Sequence, residues 1–563
     1  MSAQFDAIVI GSGMTGGWAA RELTRRGLKT LVLERGREIE HITDYQGEHK
    51  APWEYKFRGK IPREEAERDY FIQDQFGWCD DFNKQFWNND RLNPYVQDPE
   101  KPFNWVRTDV LAGRSMVWGR QVYRWSDLDF EANKRDGHGI DWPIRYADIE
   151  PWYDHVEKFI GISGEALGLP HLPDGHFQKP MELNVVEKHV RRTIQEQFPG
   201  RDMTVGRVAI LTEPHNGRGP CHYCGPCQRG CSVSAYFSAL TVTLPDAEKT
   251  GNLTIRTDAV VEGLDTDPQT GRITGVRVID AKDKSREHYS ARVVFLCAST
   301  IGSTQILMNS ANDANPNGLA NGSGVLGKYM MDHTFGTGIT GIMPGFEDRT
   351  TYGFRPNGIY VPRFRNLEGE GDDVGFLRGY GFQGGAVREG IMQTSEHLPG
   401  FGADYKQALG RYGRWRMSYY GFGEILPYAD NRMTLDPAKK DRFGIPQVRF
   451  DTHYHDNEKR MIDDMLVQGE AMLKAAGATD IVKWPGGMTM GSGVHEMGTA
   501  RMGHDPSESV LNGWNQAHEI PNLFVTDGAC MTSGSCVNPS ITYMVLTARA
   551  ANHAADLMAE GTL

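Results

Sequence analysis

No apolar run in this 563-residue sequence approaches the roughly 20 residues that span a bilayer, so no membrane-crossing helix is expected. Basic excess is lacking too: 61 Lys and Arg stand against 73 Asp and Glu, a formal net charge of −12. Nucleic acid is thereby excluded as a non-specific partner, because such binding relies on a basic surface that neutralises phosphates. Nor is there an electrostatic pull toward an anionic membrane. The opening MSAQFDAIVIGSG has no charged n-region, apolar h-region or cleavage site and runs directly into a strand. The chain is therefore expected to carry no export signal. That leaves a cytoplasmic location, or a periplasmic one reached by co-export with a partner subunit. Internal repeats and low-complexity tracts are absent. Cysteine is scarce, with eight residues, and four of them crowd into positions 221–231. A disulfide framework would spread its pairs over a small secreted domain, so the crowding reads as a metal site.

What is present describes a large globular enzyme. A hydrophobic content of 39% and a charged content of 24% are ordinary, and the length suffices for two cores. An apolar strand from Phe5 to Ile10, a glycine turn, a helix from Trp18 to Arg26 and a strand from Thr30 to Leu33 make a βαβ opening. Strand-like segments recur near 252–256, 259–264, 273–280 and 292–296. A helix follows Ser299. Residues 37–106 are rich in Trp, Tyr, Asp and Asn, have little periodicity and read as long loops. Short strands with many Gly, Arg and Tyr residues fill 324–484, where one helix is expected at 458–476. The C-terminal end returns to a strand, Asn522 to Asp527, and a long helix, Pro539 to Met558.

The glycine turn carries chemistry. Gly11 permits the tight turn, Gly13 lets the backbone approach a pyrophosphate, and Gly16 lets helix and strand pack closely. Met14 opens a helix whose positive N-terminal end suits that pyrophosphate. Glu34 ends the second strand, where an acid hydrogen-bonds a ribose. The turn does not distinguish NAD from FAD. With Asp527-Gly528 at the end of the C-terminal strand, with Glu34-Arg35-Gly36, with Ala112-Gly113-Arg114-Ser115-Met116-Val117-Trp118-Gly119 and with the 296–307 segment, the chain resembles the glucose–methanol–choline (GMC) oxidoreductases over nearly its whole length. The resemblance implies an α/β fold. A Rossmann-type FAD domain would be assembled from 1–36, 107–126, 221–330 and 490–563. A substrate-binding domain with lid segments would take 37–106, 127–220 and 331–489 around a large, mostly antiparallel sheet. It further implies FAD contacts at Gly11, Gly13, Met14, Gly16, Glu34, Arg35, Gly113, Ser115, Trp118, Val260, Ala298, Asp527, Gly528 and Asn538. In pyranose oxidases the loop equivalent to 113–118 carries a flavin-linked histidine. Val117 stands there in this chain, so FAD is expected to be held non-covalently.

Residues 494–503, VHEMGTARMG, resemble the family's histidine motif, and Asn538 its second active-site position, held by His or Asn. Alcohol oxidation needs a base for the hydroxyl proton, and an imidazole titrates in the right range. His495 is the expected base, and Asn538, which cannot titrate there, would orient the hydroxyl. Asn538 before Pro539 is also an ordinary helix cap, and one side-chain oxygen cannot serve both roles.

The cysteines follow a C-x2-C-x2-C-x3-C spacing, with Ser232 where ferredoxins have proline. Cys221, Cys227 and Cys231 resemble the loop of bacterial FAD-dependent sugar dehydrogenases that holds a [3Fe-4S] cluster, which leaves Cys224 as a spare thiol or a fourth ligand. A four-iron cluster, a structural zinc site and two disulfides are the competing readings. The run Arg378 to Gly385 offers donors and aromatic faces for a sugar, with Gln383 as a candidate substrate contact; an exposed strand and turn is the plainer alternative. The expected activity is dehydrogenation of a sugar or glucoside, at C3 of the pyranose by resemblance to glucoside 3-dehydrogenases. Electrons would pass to a cytochrome c or quinone, with a small subunit as a further partner. An O2-using sugar oxidase with a structural cysteine loop is the alternative.

Overall fold

The computed structural model of the chain describes residues 4–48, 50–367, 374–390, 398, 400–410, 413–487 and 489–563. Two sheets dominate it, and each collects strands from distant parts of the sequence. The first has five strands in the order Leu523–Val525, Ala291–Leu296, Phe5–Ile10, Thr30–Leu33 and Leu253–Arg256, with every pairing parallel. Apart from the partly exposed edge strand Leu253–Arg256, its strands carry consecutive apolar positions because both faces are covered. Ile8, Val9, Val293, Val294 and Phe295 have no exposure at all. The helix Met14–Arg25 covers one face beside the C-terminal helix Ser540–Ala559, where Asn552 donates to Glu22 at 2.9 Å. That first helix starts at Met14 and not at Trp18. It begins immediately after the glycine turn, before the apolar periodicity by which sequence locates a helix. A three-stranded antiparallel meander, Ala259–Thr266, Ile273–Asp280 and Arg286–Tyr289, stands alongside.

The second sheet is antiparallel throughout, in the order Thr479–Trp484, Gly338–Met343, Trp415–Glu424, Tyr380–Arg388, Ile359–Val361 and Thr204–Val205. His333–Thr334 adds to the end of the third of these, opposite Gly423 and Glu424. The expected architecture, a Rossmann-type unit beside a large antiparallel sheet, is the one observed.

Side chains alternate across a strand, and here the alternation separates packing from function. On one face of Trp415–Glu424, Gly421 and Gly423 leave room for the helix Asp456–Ala475. A Cβ on either would lie 2.5 or 2.4 Å from the sulfur of Met465 or Met461. On the other face Phe422 and Tyr420 point away from that helix, and Gln383, paired with Tyr420, points with them. The described residues of 37–106 form turns, short 3-10 segments and one short α-helix, Arg63–Asp69. They are tied to the rest by isolated bridges such as Trp87 to Thr108, Val96 to Arg449 and Phe103 to Met490. Among the described residues no helix is long and apolar enough to cross a membrane.

Gly469 of the helix Asp456–Ala475 lies under the same sheet, and a Cβ there would stand 2.5 Å from Ile339 Cδ1. Gly469→Leu is expected to overpack this layer and lower the unfolding free energy by about 1–3 kcal/mol. The exposed Val467→Leu on the same helix should leave it within about 0.5 kcal/mol of the parent. Urea titration of both variants checks this.

Candidate active site

A cavity of about 450 Å³ lies between the C-terminal ends of the parallel strands and the second sheet. Its floor is the glycine turn. Gly11 has φ +96°, and Gly16 packs so closely that its Cβ would lie 1.8 Å from the Gly11 carbonyl oxygen. A Cβ on Gly13 would meet nothing nearer than the Ala112 carbonyl at 4.0 Å, so that face is open to the cavity. Gly13, Met14, Glu34, Arg35, Gly113, Ser115, Trp118, Val260, Ala298, Asp527, Gly528 and Asn538 all line the cavity with Gly11. Gly16 is the exception among the expected cofactor contacts: it does not line the cavity but packs on Gly11, the packing role its place in the motif implies.

Glu34 is buried, and burial raises its pKa above the usual carboxylate value. It accepts from Ser12 N at 3.0 Å, from the Ser12 hydroxyl, and from Gly36 N at 2.8 Å. Ser12 Oγ in turn accepts from Ala112 N at 2.8 Å, which docks the 112–119 loop on the turn. Ser115 Oγ donates to Ala112 O at 2.6 Å and accepts from Ala239 N at 3.0 Å; Trp118 Nε1 donates to Phe237 O at 3.0 Å. Asp527 accepts from the Ser303 hydroxyl and from Ala529 N at 3.0 Å, and burial pushes its carboxyl up to about 6. The helices starting at Met14 and at Ser540 both lack a side-chain cap. Their first-turn N–H groups are thus available to an acceptor in the cavity.

His495 lines the same cavity. Its Nδ1 is 2.9 Å from His333 Nδ1, and its Nε2 is 3.4 Å from Asn538 Nδ2. Desolvation, then His333 and Arg114, hold its pKa well below the usual imidazole value. Asn538 does not cap the C-terminal helix: its Oδ1 accepts from Gln383 Nε2 at 2.5 Å. Gln383 is 8% exposed, in a central strand, so it is not the exposed turn of the plainer expectation. Two loop contacts position His495. Asp332 accepts from the backbone N–H of Gly493 and of His495, each at 3.0 Å, and burial pushes Asp332 up to about 7. Arg114, paired with the buried Glu496 at 2.7 Å, donates to Val494 O at 3.2 Å. Val494 needs this grip because its φ of +54° is strained for a β-branched residue.

Several of these groups carried no legible signal. His333, Asp332, Gln121 and Phe422 lie in ordinary strand or loop sequence. The walls contributed by Trp78, Trp87 and Trp105 come from 37–106, whose unusual tryptophan content was the one available hint.

All eight cysteines are free; Cys221, Cys227 and Cys231 are half-buried and Cys224 is exposed. Their loop adjoins the cavity through Gln228, which lines it, and through Arg120, whose guanidinium donates to Cys227 O at 2.8 Å. Backbone N–H groups of Tyr223 and Ala235 donate to the sulfurs of Cys221 and Cys231 at 3.4 and 3.3 Å. Burial pushes the Cys221 thiol up to about 11 and raises those of Cys227 and Cys231. A different group, Asp430, His453 and His455, places one ligand atom each within 4.8 Å of the others. Tyr428 stacks on His455 at 3.7 Å, and the His455 and His453 rings lie 4.2 Å apart, tilted by 33°.

Burial pushes His333 down to about 4. The unfolded chain would protonate this imidazole below about 6.5 while the folded chain would not. Its contribution to stability is therefore intact above pH 6.5 and lost progressively as pH falls toward 4. The stability gap between the parent and His333→Asn, read from urea titrations at pH 7.5, 6 and 5, is expected to narrow with acidification. A constant gap would contradict a neutral buried His333.

Residues 6–335 and 427–547 match the N-terminal and C-terminal profiles described as GMC oxidoreductase. A 2-methyl-1,2-propanediol dehydrogenase of Mycolicibacterium austroafricanum is 28% identical over 98% of this chain and 95% of its own. The fructose dehydrogenase large subunit of Gluconobacter japonicus is 28% identical over 97% of each chain. A formate oxidase structure from Aspergillus oryzae superposes with a TM-score of 0.63 over 100% of both chains at 13% identity, a likeness of fold. The first profile alone covers more than half the sequence and contains the glycine turn, Glu34 and the 112–119 loop, and the second contains His495, Asp527 and Asn538; the chain belongs to the GMC oxidoreductase family of FAD-dependent enzymes.

Proposed function

We propose that the enzyme is a dehydrogenase that oxidises a hydroxyl of a sugar or glucoside, at C3 of the pyranose, to give a 3-keto sugar. The observation that carries this reading is the meeting of His495 Nε2, Asn538 and Gln383 in the cavity floored by the glycine turn. FAD fits that floor. Gly13 leaves space where a Cβ would stand, two uncapped helix N-termini offer N–H donors, and Glu34 keeps acceptor capacity for a ribose. Val117 has no atom that could bond a flavin, in keeping with non-covalent FAD. The segments 1–36, 107–126, 221–330 and 490–563 form the FAD-binding half in this reading, and the remainder binds substrate.

Bound FAD supplies the hydride acceptor. The chain's own residues do the rest. His495 Nε2 takes the hydroxyl proton, and the Asn538 amide N–H orients the hydroxyl oxygen and stays with it as negative charge develops. Gln383 and Gln121 make one wall able to exchange hydrogen bonds with a polyol, and Phe422 and the tryptophans from 37–106 supply apolar faces for a pyranose ring. The names of the two dehydrogenase relatives, one for fructose and one for a diol, accord with a hydroxylated substrate. The C3 assignment rests on the resemblance to glucoside 3-dehydrogenases.

Cys221, Cys227 and Cys231 would hold a [3Fe-4S] cluster, which would carry single electrons to an outside acceptor such as a cytochrome c or quinone. Two observations suit this. The sulfurs of Cys221 and Cys231 accept backbone N–H groups, as cluster ligands do. No three of the four lie within 4.8 Å of one another, whereas tetrahedral zinc at about 2.3 Å from each sulfur would require them about 3.8 Å apart. A relative named as a large subunit makes a small partner subunit part of the same proposal, and with it a periplasmic location by co-export.

Anaerobic mixing with methyl glucoside, glucose, sucrose and lactose should bleach the flavin, and the product should be a 3-keto sugar. His495→Ala should slow bleaching about 10²–10⁴-fold; an unchanged rate would eliminate the base assignment. The purified protein should contain iron and acid-labile sulfide. FAD without iron, together with peroxide release in air, would establish the oxidase alternative in its place.

A further inference from the structure

We propose that His333 is a positioning residue that fixes the tautomer of His495, leaving Nε2 bare toward the substrate. It does so because a backbone carbonyl anchors the far side of its own ring. The proposal rests on His495 being the base.

The argument starts at Ser535. Its carbonyl oxygen can only accept, and it lies 2.8 Å from His333 Nε2. That nitrogen therefore carries the proton. His333 has no exposure and is neutral, so its Nδ1 is a bare lone pair. Facing it at 2.9 Å is His495 Nδ1, which must bring the hydrogen. A neutral His495 with its proton on Nδ1 has a bare Nε2, the nitrogen beside Asn538 in the cavity. The opposite tautomer would place an N–H at Nε2, where it could not take a hydroxyl proton, and would set two lone pairs against each other at Nδ1.

The same logic continues outward and explains the orientation of every amide along the wall. A bare His495 Nε2 requires Asn538 to present its N–H, so Asn538 Oδ1 accepts from Gln383 Nε2. Gln383 Oε1 then accepts from Gln121 Nε2 at 2.7 Å, and Gln121 Oε1 accepts from the Tyr123 hydroxyl. From Tyr123 to Ser535 each donor points the same way, and the one end that cannot reverse is the carbonyl. Three features hold that end in place. Ser535 is kept at φ +57° with its hydroxyl on Asp129 at 2.8 Å. His333 lies in a strand paired to Glu424. Asp332, the preceding residue, binds the His495 backbone. The titratable and charged groups around His495 are His333, Asp332 and the Arg114–Glu496 pair; none of the others reaches its ring nitrogens. When His495 accepts the substrate proton, both its nitrogens carry hydrogen and the Nδ1–H bond to His333 is retained and strengthened by charge.

His333→Phe keeps a ring of similar shape and removes the acceptor. It is expected to lower the rate of anaerobic flavin reduction by sugar about 10–10³-fold, less than the about 10⁴-fold seen when a charged orienting group is lost from a catalytic triad. KM should change less than about threefold, with unaltered flavin content. His333→Asn, whose Oδ1 can occupy the Nδ1 position, should restore at least a tenth of the parent rate. The direct readout is made on the parent: two-bond ¹H–¹⁵N spectra of histidine-labelled holoenzyme, with His495 assigned by its loss in His495→Ala, should show it as the Nδ1–H tautomer at pH 7.5. An Nε2–H tautomer, or a His333→Phe rate within twofold of the parent, overturns the proposal. If His495→Ala itself reduces flavin normally, the base assignment fails first, and the two failures are thereby distinguished.

Discussion

Residues 493–502 form a narrow seam of backbone between the two sheets, and the site depends on it. On one side Met497 exchanges both hydrogen bonds with Met331 at 2.9 Å, and Thr499 bonds Lys328 O and Gly327 N. On the other side Gly498, Ala500 and Met502 donate to the carbonyls of Gly528, Ala529 and Cys530. Asp332 closes the upper end of the seam on Gly493 and His495. This lacing joins the segment that continues into the antiparallel sheet to the segment that follows the last parallel strand. The expected base sits at its end, so the position of His495 relative to the glycine turn is a property of backbone pairing and not of side-chain packing alone.

The electrostatic character of the site follows from its depth. Burial holds His333 and His495 neutral and pushes the carboxyls of Asp332 and Asp527 up to about 7 and about 6. The charged Arg114–Glu496 pair, of which Glu496 is buried, acts on the loop backbone through Val494 O. Polar groups in such a setting must be satisfied or costly. The unidirectional chain from Tyr123 to Ser535 satisfies them with neutral donors and acceptors. An imidazole oriented by a neutral imidazole differs from one oriented by a carboxylate: the proton it takes up is held less tightly.

Glycine serves two opposite purposes in this fold. At Gly16, Gly421 and Gly423 the missing Cβ is filled by neighbouring atoms of the chain itself, so the residue acts as a packing device. At Gly13 the missing Cβ leaves open space in the cavity floor. The roles that the motif gives Gly13, approach to a pyrophosphate, and Gly16, close packing, match what a Cβ at each position would meet.

The amino-acid sequence by itself determined the βαβ opening, the acid at Glu34, the C-terminal Asp527-Gly528, the short Gly- and Tyr-rich strands of 324–484 and the crowding of cysteines. Each is a local pattern set by spacing along the chain, and physics that acts over a few residues is legible without a structure. Only the tertiary structure decided that Asn538 turns away from the helix it precedes and that Gln383 faces inward. It also brought His333 to His495, two residues separated by 162 positions in the chain. A histidine in Met330-Met331-Asp332-His333-Thr334 has no periodicity or spacing that marks it. Its role comes from a carbonyl at Ser535 and a ring at His495 that only folding places on either side of it.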